Sequence, residues 1–259
     1  MGRRKLNATS WTWVAAAARG TAHARMDARL QDAYKCCFIE NSGSLFAIVS
    51  DGAGSAIRGG EGASLSCRTL SSLVRTHYEH NRFAPSDETI HSWIDIVRAR
   101  IDEAALSRGL KSREFATTIV CALSYTGGST FIHIGDGCAV YKAVNSEEWV
   151  CASWPHHGEY ASSTNFITDQ PEPIIRISRI NVQIDVLCLL TDGLERLALE
   201  LSAQRPHRPF FDGLLRPVTN SKMVGRDSTL SQQLAKYLDS SPINARTDDD
   251  KALILAVRK

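Results

Sequence analysis

Two rhythms of apolar residues alternate along this chain. Near-continuous short runs, WTWVAAA, YKCCFIE, LFAIVS, TTIVCAL, STFIHI, CAVYKAV, EWVCASW, PIIRIS, DVLCLL and KALILAV, are rich in β-branched and aromatic side chains and predict strands. Between the third and fourth runs the rhythm changes. Leu65, Leu70, Leu73 and Val74, then Ile90, Trp93, Ile94, Val97 and Ile101, recur at spacings of three and four, the core-facing stripes of two amphipathic helices. Ser86 ahead of Asp87 and Glu88 caps the second. Later, LERLALEL, PFFDGLLRPV and STLSQQLAKYLDS predict further helices, with Pro206, Pro209 and Pro242 as breakers.

Strands that follow one another as hairpins, with a helical pair inserted and helices near the end, predict an α+β fold rather than alternating βαβ units. The simplest solution is two packed, mainly antiparallel sheets with helices outside. No internal repeat or low-complexity linker divides the 259 residues, and a 43% hydrophobic composition can bury one large core. We therefore expect a single domain over 1–259.

Charge changes this picture little. The formal net charge is +2, and beyond the opening GRRK the basic residues are scattered, which gives no electrostatic case for nucleic acid or a membrane surface. The seven cysteines form no CxxC pair and lie mostly in apolar runs, as small buried thiols of a reducing cytosol do. The start of the chain has the basic and apolar parts of a leader, yet Trp11 and Trp13 alternate and Arg19 closes the run, so a first strand is expected there. Residues 1–9 are read as a flexible basic extension. No run approaches the ~20 apolar residues of a membrane span.

Chemistry gathers where the strand-like runs end. LFAIVS runs into Asp51 and Gly52, STFIHI into Asp136 and Gly137, and DVLCLL into Asp192 and Gly193. Asp-Gly is a common turn pair, so each could be a hairpin taken alone. Three such pairs, with Asp32 opening LQDAYKCCFIE and Asp248 to Asp250 preceding KALILAVRK, suggest one convergent site. Two carboxylates ~4 Å apart repel by ~4 kcal/mol at an effective dielectric near 20. A divalent cation removes that conflict, and oxygen-only donors select hard ions such as magnesium or manganese. Two such ions would activate a water for attack on a phosphoryl group.

The ordered set QDA, VSDGAGSA, ATT (Ala116 to Thr118), IGDG, LLTDGLERL and TDDDKALILA resembles the metal-dependent protein phosphatases of type 2C, in particular a bacterial stand-alone subgroup. The similarity runs from about Gly20 to Lys259. It implies a four-layer α/β/β/α sandwich and a centre of two manganese or magnesium ions, with a third held weakly. The implied reaction is hydrolysis of phosphoserine and phosphothreonine by a water that bridges the two ions. Carried over by motif, Asp51 would bridge the ions and Gly52 would offer its carbonyl. Asp32 would act through water, and Asp192 and Asp249 would complete the pair. Asp249 stands three residues before Ala252, where the family commonly has Thr; Asp248 is the alternative. Asp136 would serve the third ion.

The resemblance also implies phosphorylated protein substrates, a partner serine/threonine kinase, a cytoplasmic location, and a flap over 154–184 that includes GEYASSTNFIT. Three positions depart from it. Gln31 replaces a glutamate, Asp27 stands where relatives carry a phosphate-binding arginine, and Ala53 stands where many have histidine. Arg25, Arg29 and His23 are the candidates for the missing phosphate contact, and no general acid is assigned. A phosphatase-fold binding module without turnover is the alternative reading. Elsewhere His133 is expected to be structural, His156 and His157 to lie in a solvated loop, Glu147 and Glu148 in a polar turn, and Arg58 and Glu61 at a helix start.

Overall fold

The computed structural model describes residues 10–81, 83–155 and 164–259. In chain order, β1 (Trp11–Ala18) leads to the short α1 (Thr21–Arg25) and the hairpin β2 (Ala33–Ile39) and β3 (Ser44–Ser50). The helical pair follows as α2 (Gly59–His80) and α3 (Asp87–Leu106), then β4 (Ile119–Tyr125), β5 (Gly128–Ile134), β6 (Cys138–Ala143) and β7 (Val150–Ser153). After β8 (Arg176–Ile180) and β9 (Ile184–Leu190) come α4 (Glu195–Ala198), the two-residue strands β10 (Leu199–Glu200) and β11 (Arg205–Pro206), and α5 (Arg208–Asn220). The chain ends with β12 (Gly225–Arg226), α6 (Ser228–Leu238), α7 (Ser241–Asn244) and β13 (Lys251–Arg258).

Two sheets result. One has the order β12-β1-β13-β9-β6-β7 and the other β2-β3-β4-β5-β8. All pairings within them are antiparallel except β1 with β12. Trp11, Ala15, Leu187 and Ile254 of the first sheet meet Leu45, Val49, Val120 and Phe131 of the second in a shared core. On the outer side of the second sheet, Phe46, Ile48 and Cys121 pack under the stripes of α2 and α3. On the outer side of the first, Val14, Cys188 and Leu255 pack under Phe210, Phe211 and Leu234 of α5 and α6. This is the expected α/β/β/α layering. It explains the near-continuous apolar runs: central strands such as β3 are buried on both faces, so the two-residue alternation disappears.

Ser86 caps α3 by accepting the Thr89 N–H at 3.2 Å. Three expectations need correction. LERLALEL is helical only at Glu195–Ala198, because Leu199 then pairs with Pro206 in the β10–β11 ladder. Pro242 does not break a helix; it sits in the first turn of α7, where a missing N–H costs nothing. Pro209 likewise opens α5. The span 154–184 also contains β8, which pairs with β5.

Candidate metal centre

The β1 end is joined to β2 through α1, and its turn answers one departure. Ala28 N–H bonds to His23 O at 2.8 Å and Asp27 N–H to Ala24 O at 3.3 Å, a Schellman closure with Asp27 at φ +53°. Aspartate tolerates that left-handed conformation better than arginine does. The exposed Asp27 side chain therefore belongs to a turn.

Asp51 leaves β3 into a loop held by the ATT segment. Thr117 Oγ1 donates to Asp51 O at 2.6 Å, and Thr118 N–H donates to the same carbonyl at 2.8 Å. Thr118 Oγ1 in turn accepts from the Asp51 N–H at 3.1 Å. Ala53 N–H reaches Ala116 O at 2.9 Å, and Gly52 bridges to Thr117. Gly52 is packed so closely that a Cβ there would lie 2.2 Å from the Gly59 carbonyl carbon. Gln31, with its amide turned so that donor meets acceptor, gives N–H bonds to Gly52 O at 2.8 Å and Ala53 O at 3.1 Å. A glutamate could not make those bonds to two carbonyls.

Asp192 follows β9, and a Cβ at Gly193 would lie 1.9 Å from Asp250 O. Asp136 sits in the β5–β6 turn, buried, and accepts from Thr164 Oγ1. Asp51, Asp136 and Asp192 each present one carboxylate oxygen, and these oxygens lie within 4.8 Å of one another. Asp32, at the head of β2, adjoins them. Its Oδ2 accepts from Thr191 Oγ1 at 2.7 Å, and it shares a hydrogen bond with Asp51.

Electrostatics records the crowding. Burial, reinforced by the charges of Asp32, Asp192 and Asp136, pushes Asp51 well above the ordinary carboxylate range. Asp192 rises for the same reasons, with Asp136, Asp249 and Asp32 as its neighbours. Burial lifts Asp32 to about 7 against the hydrogen bonds from Asp51 and Thr191. Asp249, although its side chain opens to solvent, is also raised, by the partial desolvation of its carboxyl and by the neighbouring Asp250 and Asp248. Among the described residues, Asp32 Oδ1 and Asp136 Oδ1 are buried without a hydrogen-bond partner. A cluster of oxygen donors that repel one another and keep unpaired acceptors fits hard divalent cations.

The three acids of TDDD have different places. Asp248 is exposed and pairs with the equally exposed Arg25 at 3.1 Å. Asp249 reaches solvent and lies close enough to Asp192 and Asp32 to raise both. Asp250 is 1% exposed and accepts the N–H groups of Gly20 and Gln31, each at 2.6 Å, with His23 Nδ1 2.9 Å away. Sequence reasoning missed this role of Asp250; its place directly before the buried Lys251 run was the available signal.

Of the phosphate candidates, His23 is packed against this group and faces the Asp51 loop, its Nε2 4.0 Å from where a Cβ on Gly54 would stand. Arg25 is engaged with Asp248, and Arg29 is exposed. His133 is buried in β5 with Nδ1 2.6 Å from Ser153 Oγ, as expected for a structural residue. Glu147 pairs with Lys142 at 3.0 Å, and Glu61 of the first α2 turn pairs with Arg108. Arg58 is exposed just before α2. His156, His157 and most of GEYASSTNFIT lie outside the described residues.

Known proteins resemble this chain along nearly its whole length. Over 253 residues the chain is 31% identical to serine/threonine-protein phosphatase 3 of Escherichia coli (strain K12), covering 96% of this chain and 98% of that one. The fold is also that of the Staphylococcus aureus serine/threonine phosphatase Stp1, at a TM-score of 0.62, 18% identity and coverage of 95% and 94%. PppA, a regulatory component of the type VI secretion system in Pseudomonas aeruginosa, superposes at a TM-score of 0.64 with 14% identity, covering 97% of this chain and 100% of that one. The family profile described as protein phosphatase 2C matches residues 19–239, and the chain belongs to that family.

Proposed function

We propose that this phosphatase hydrolyses phosphoserine and phosphothreonine on other proteins with two divalent cations, manganese or magnesium, and a third bound weakly. Membership of the family makes it a serine/threonine protein phosphatase, a phosphoric monoester hydrolase of a metal-dependent class acting on phosphoproteins. The finer reading rests on one observation: carboxylate oxygens of Asp51, Asp136 and Asp192 come within 4.8 Å of one another from three strand ends.

In this reading Asp51 would hold both principal ions and Gly52 would offer its carbonyl, Asp192 and Asp249 would complete the pair, Asp32 would act through water, and Asp136 would serve the third. When bound, such ions supply a water of lowered pKa as nucleophile and positive charge opposite the phosphoryl oxygens. The chain's own groups fix the geometry. Thr117 and Thr118 hold the Asp51 backbone, Thr191 orients Asp32, and Gln31 restrains the Gly52 and Ala53 carbonyls. Gln31 also removes one negative charge from the cluster. Of the candidates for a phosphate contact, His23 is favoured over Arg25 and Arg29 because it packs beside the acids. A cognate kinase and a cytoplasmic location remain part of the proposal; among the described residues no helix is long and apolar enough to cross a membrane.

Manganese-dependent hydrolysis of p-nitrophenyl phosphate and of a phosphothreonine peptide tests the reading. Turnover that needs manganese and disappears in Asp51→Asn supports it. Manganese binding by calorimetry with no turnover on either substrate would favour the binding module instead.

A further inference from the structure

Cys138 Sγ and Cys151 Sγ lie 3.4 Å apart across the β6–β7 pair. The bulge that pairs Ala139 with Ser153 but Val140 with Cys151 brings them together, and both sulfurs pack in the layer beneath α5 and α6. A disulfide needs about 2.05 Å, so one modest approach of roughly 1.4 Å closes the bond. The strand that must move is the edge strand β7, whose Val150, Cys151 and Ala152 are only partly buried. Cys151 therefore meets solvent while Cys138 waits behind it.

The position of Cys138 gives the pair a consequence. It follows Asp136 and Gly137 directly, and it pairs with Leu190, which precedes Thr191 and Asp192. Gly137 is wedged so that a Cβ there would lie 2.8 Å from Leu190 O. The bond drawn between the two sulfurs pulls back on Cys138, and that pull is carried along β6 and its Leu190 pairing to two of the three converging acids. We propose that Cys138 and Cys151 are a modification site, oxidised by a hydroperoxide to a reversible disulfide that weakens divalent-cation binding at the adjoining carboxylates. The cation half rests on the proposed function; the disulfide half does not.

The chemistry balances. With hydrogen peroxide, Cys151 sulfur attacks one peroxide oxygen, the O–O bond breaks, the departing hydroxide takes the Cys151 proton as the first water (an alcohol for an organic hydroperoxide), and Cys151 is left as a sulfenic acid. Cys138 sulfur then attacks the sulfenic sulfur, the S–S bond forms, and the departing hydroxide takes the Cys138 proton as the second water. Two thiols are oxidised and one peroxide is reduced.

The test uses the full chain with a chelator present, hydrogen peroxide as oxidant, alkylation of remaining thiols, and trypsin. Cleavage after Arg113, Lys142 and Arg176 separates peptide 114–142 from peptide 143–176, so the disulfide is read as their cross-linked pair. The expected result is a cross-link reversed by dithiothreitol and absent from both Cys138→Ser and Cys151→Ser, the first variant excluding Cys121 as the partner. After peroxide and chelator are removed, oxidised wild type should bind manganese about tenfold more weakly by calorimetry, the scale typical of disturbed outer-shell contacts. Both variants should show no such change. Failure of the cross-link to form while other thiols oxidise overturns the proposal, as does a cross-link with unchanged manganese affinity. If reduced protein binds no manganese, the metal reading and the coupling fall together, while the cross-link is still decided by mass.

Discussion

Thr191 and Asp32, 159 positions apart in the chain, are joined by a single hydroxyl. Thr191 Oγ1 donates to Asp32 Oδ2 at 2.7 Å and accepts the Ala252 N–H at 2.8 Å, so one atom ties the head of β2 to β13. Thr191→Val keeps the shape but leaves the Ala252 N–H and a buried carboxylate oxygen short of a partner. The expected cost is about 1–3 kcal/mol, measured by urea unfolding, together with weaker manganese binding. Unchanged stability would show that this hydroxyl is dispensable.

Asp51 is pushed upward by burial and by three neighbouring acids. Removing its charge should relieve metal-free protein and harm the loaded form. Asp51→Asn is expected to raise the melting temperature in chelator while manganese affinity falls by more than the about 10–100-fold typical of outer-shell partners. Scanning calorimetry with and without manganese separates the two effects. A lower melting temperature in chelator would contradict the repulsion.

The pH dependence of the metal-free protein has a definite sign. Asp32 titrates near 7 when folded, against an ordinary 3.8, chiefly through burial. Between about pH 4 and pH 7 the folded chain therefore keeps a proton that the unfolded chain has released, and stability falls as pH rises through that window. Asp51 and Asp192 act in the same direction. Melting temperatures in chelator should decline from about pH 5 to pH 7, and saturating magnesium, which competes with those protons, should flatten or reverse the slope. A rising curve in chelator would refute this.

Gly193 leaves no room for a side chain. A Cβ would stand 1.9 Å from Asp250 O, a backbone atom that cannot rotate away. Gly193→Ala is expected to destabilise by about 3 kcal/mol or more, at or beyond the upper end of overpacking costs, and to displace Asp192. Denaturant unfolding measures the first and manganese calorimetry the second.

How far the sequence could be read depended on what kind of contact decided each feature. The ten strand-like runs and both long helices were legible because their apolar periods follow directly from burial on two faces or on one. The acids stood out because Asp51, Asp136 and Asp192 each end such a run beside a glycine. Distances between them were not legible, since they depend on how two sheets dock. Within TDDD, the one local signal for Asp250 is its place directly before the Lys251 run; its partners Gly20 and Gln31, 230 and 219 positions away, leave no mark near it in the chain. The five-residue α1 has no apolar stripe to announce it, and the left-handed role of Asp27 appears only once its turn closes. LERLALEL misled because Leu194, Leu197 and Leu201 fall at helical spacings of three and four, while Leu199 is drawn into the short ladder that Pro206 completes.

The acids arrive from both walls of the sandwich: Asp32 and Asp51 from the sheet holding β2 and β3, Asp192 and Asp249 from the one holding β9 and β13. Parting the two sheets at that rim and dismantling the reaction chamber are consequently one mechanical event. Amide exchange at the ends of β3 and β9 should report ion occupancy before any change reaches the helices outside.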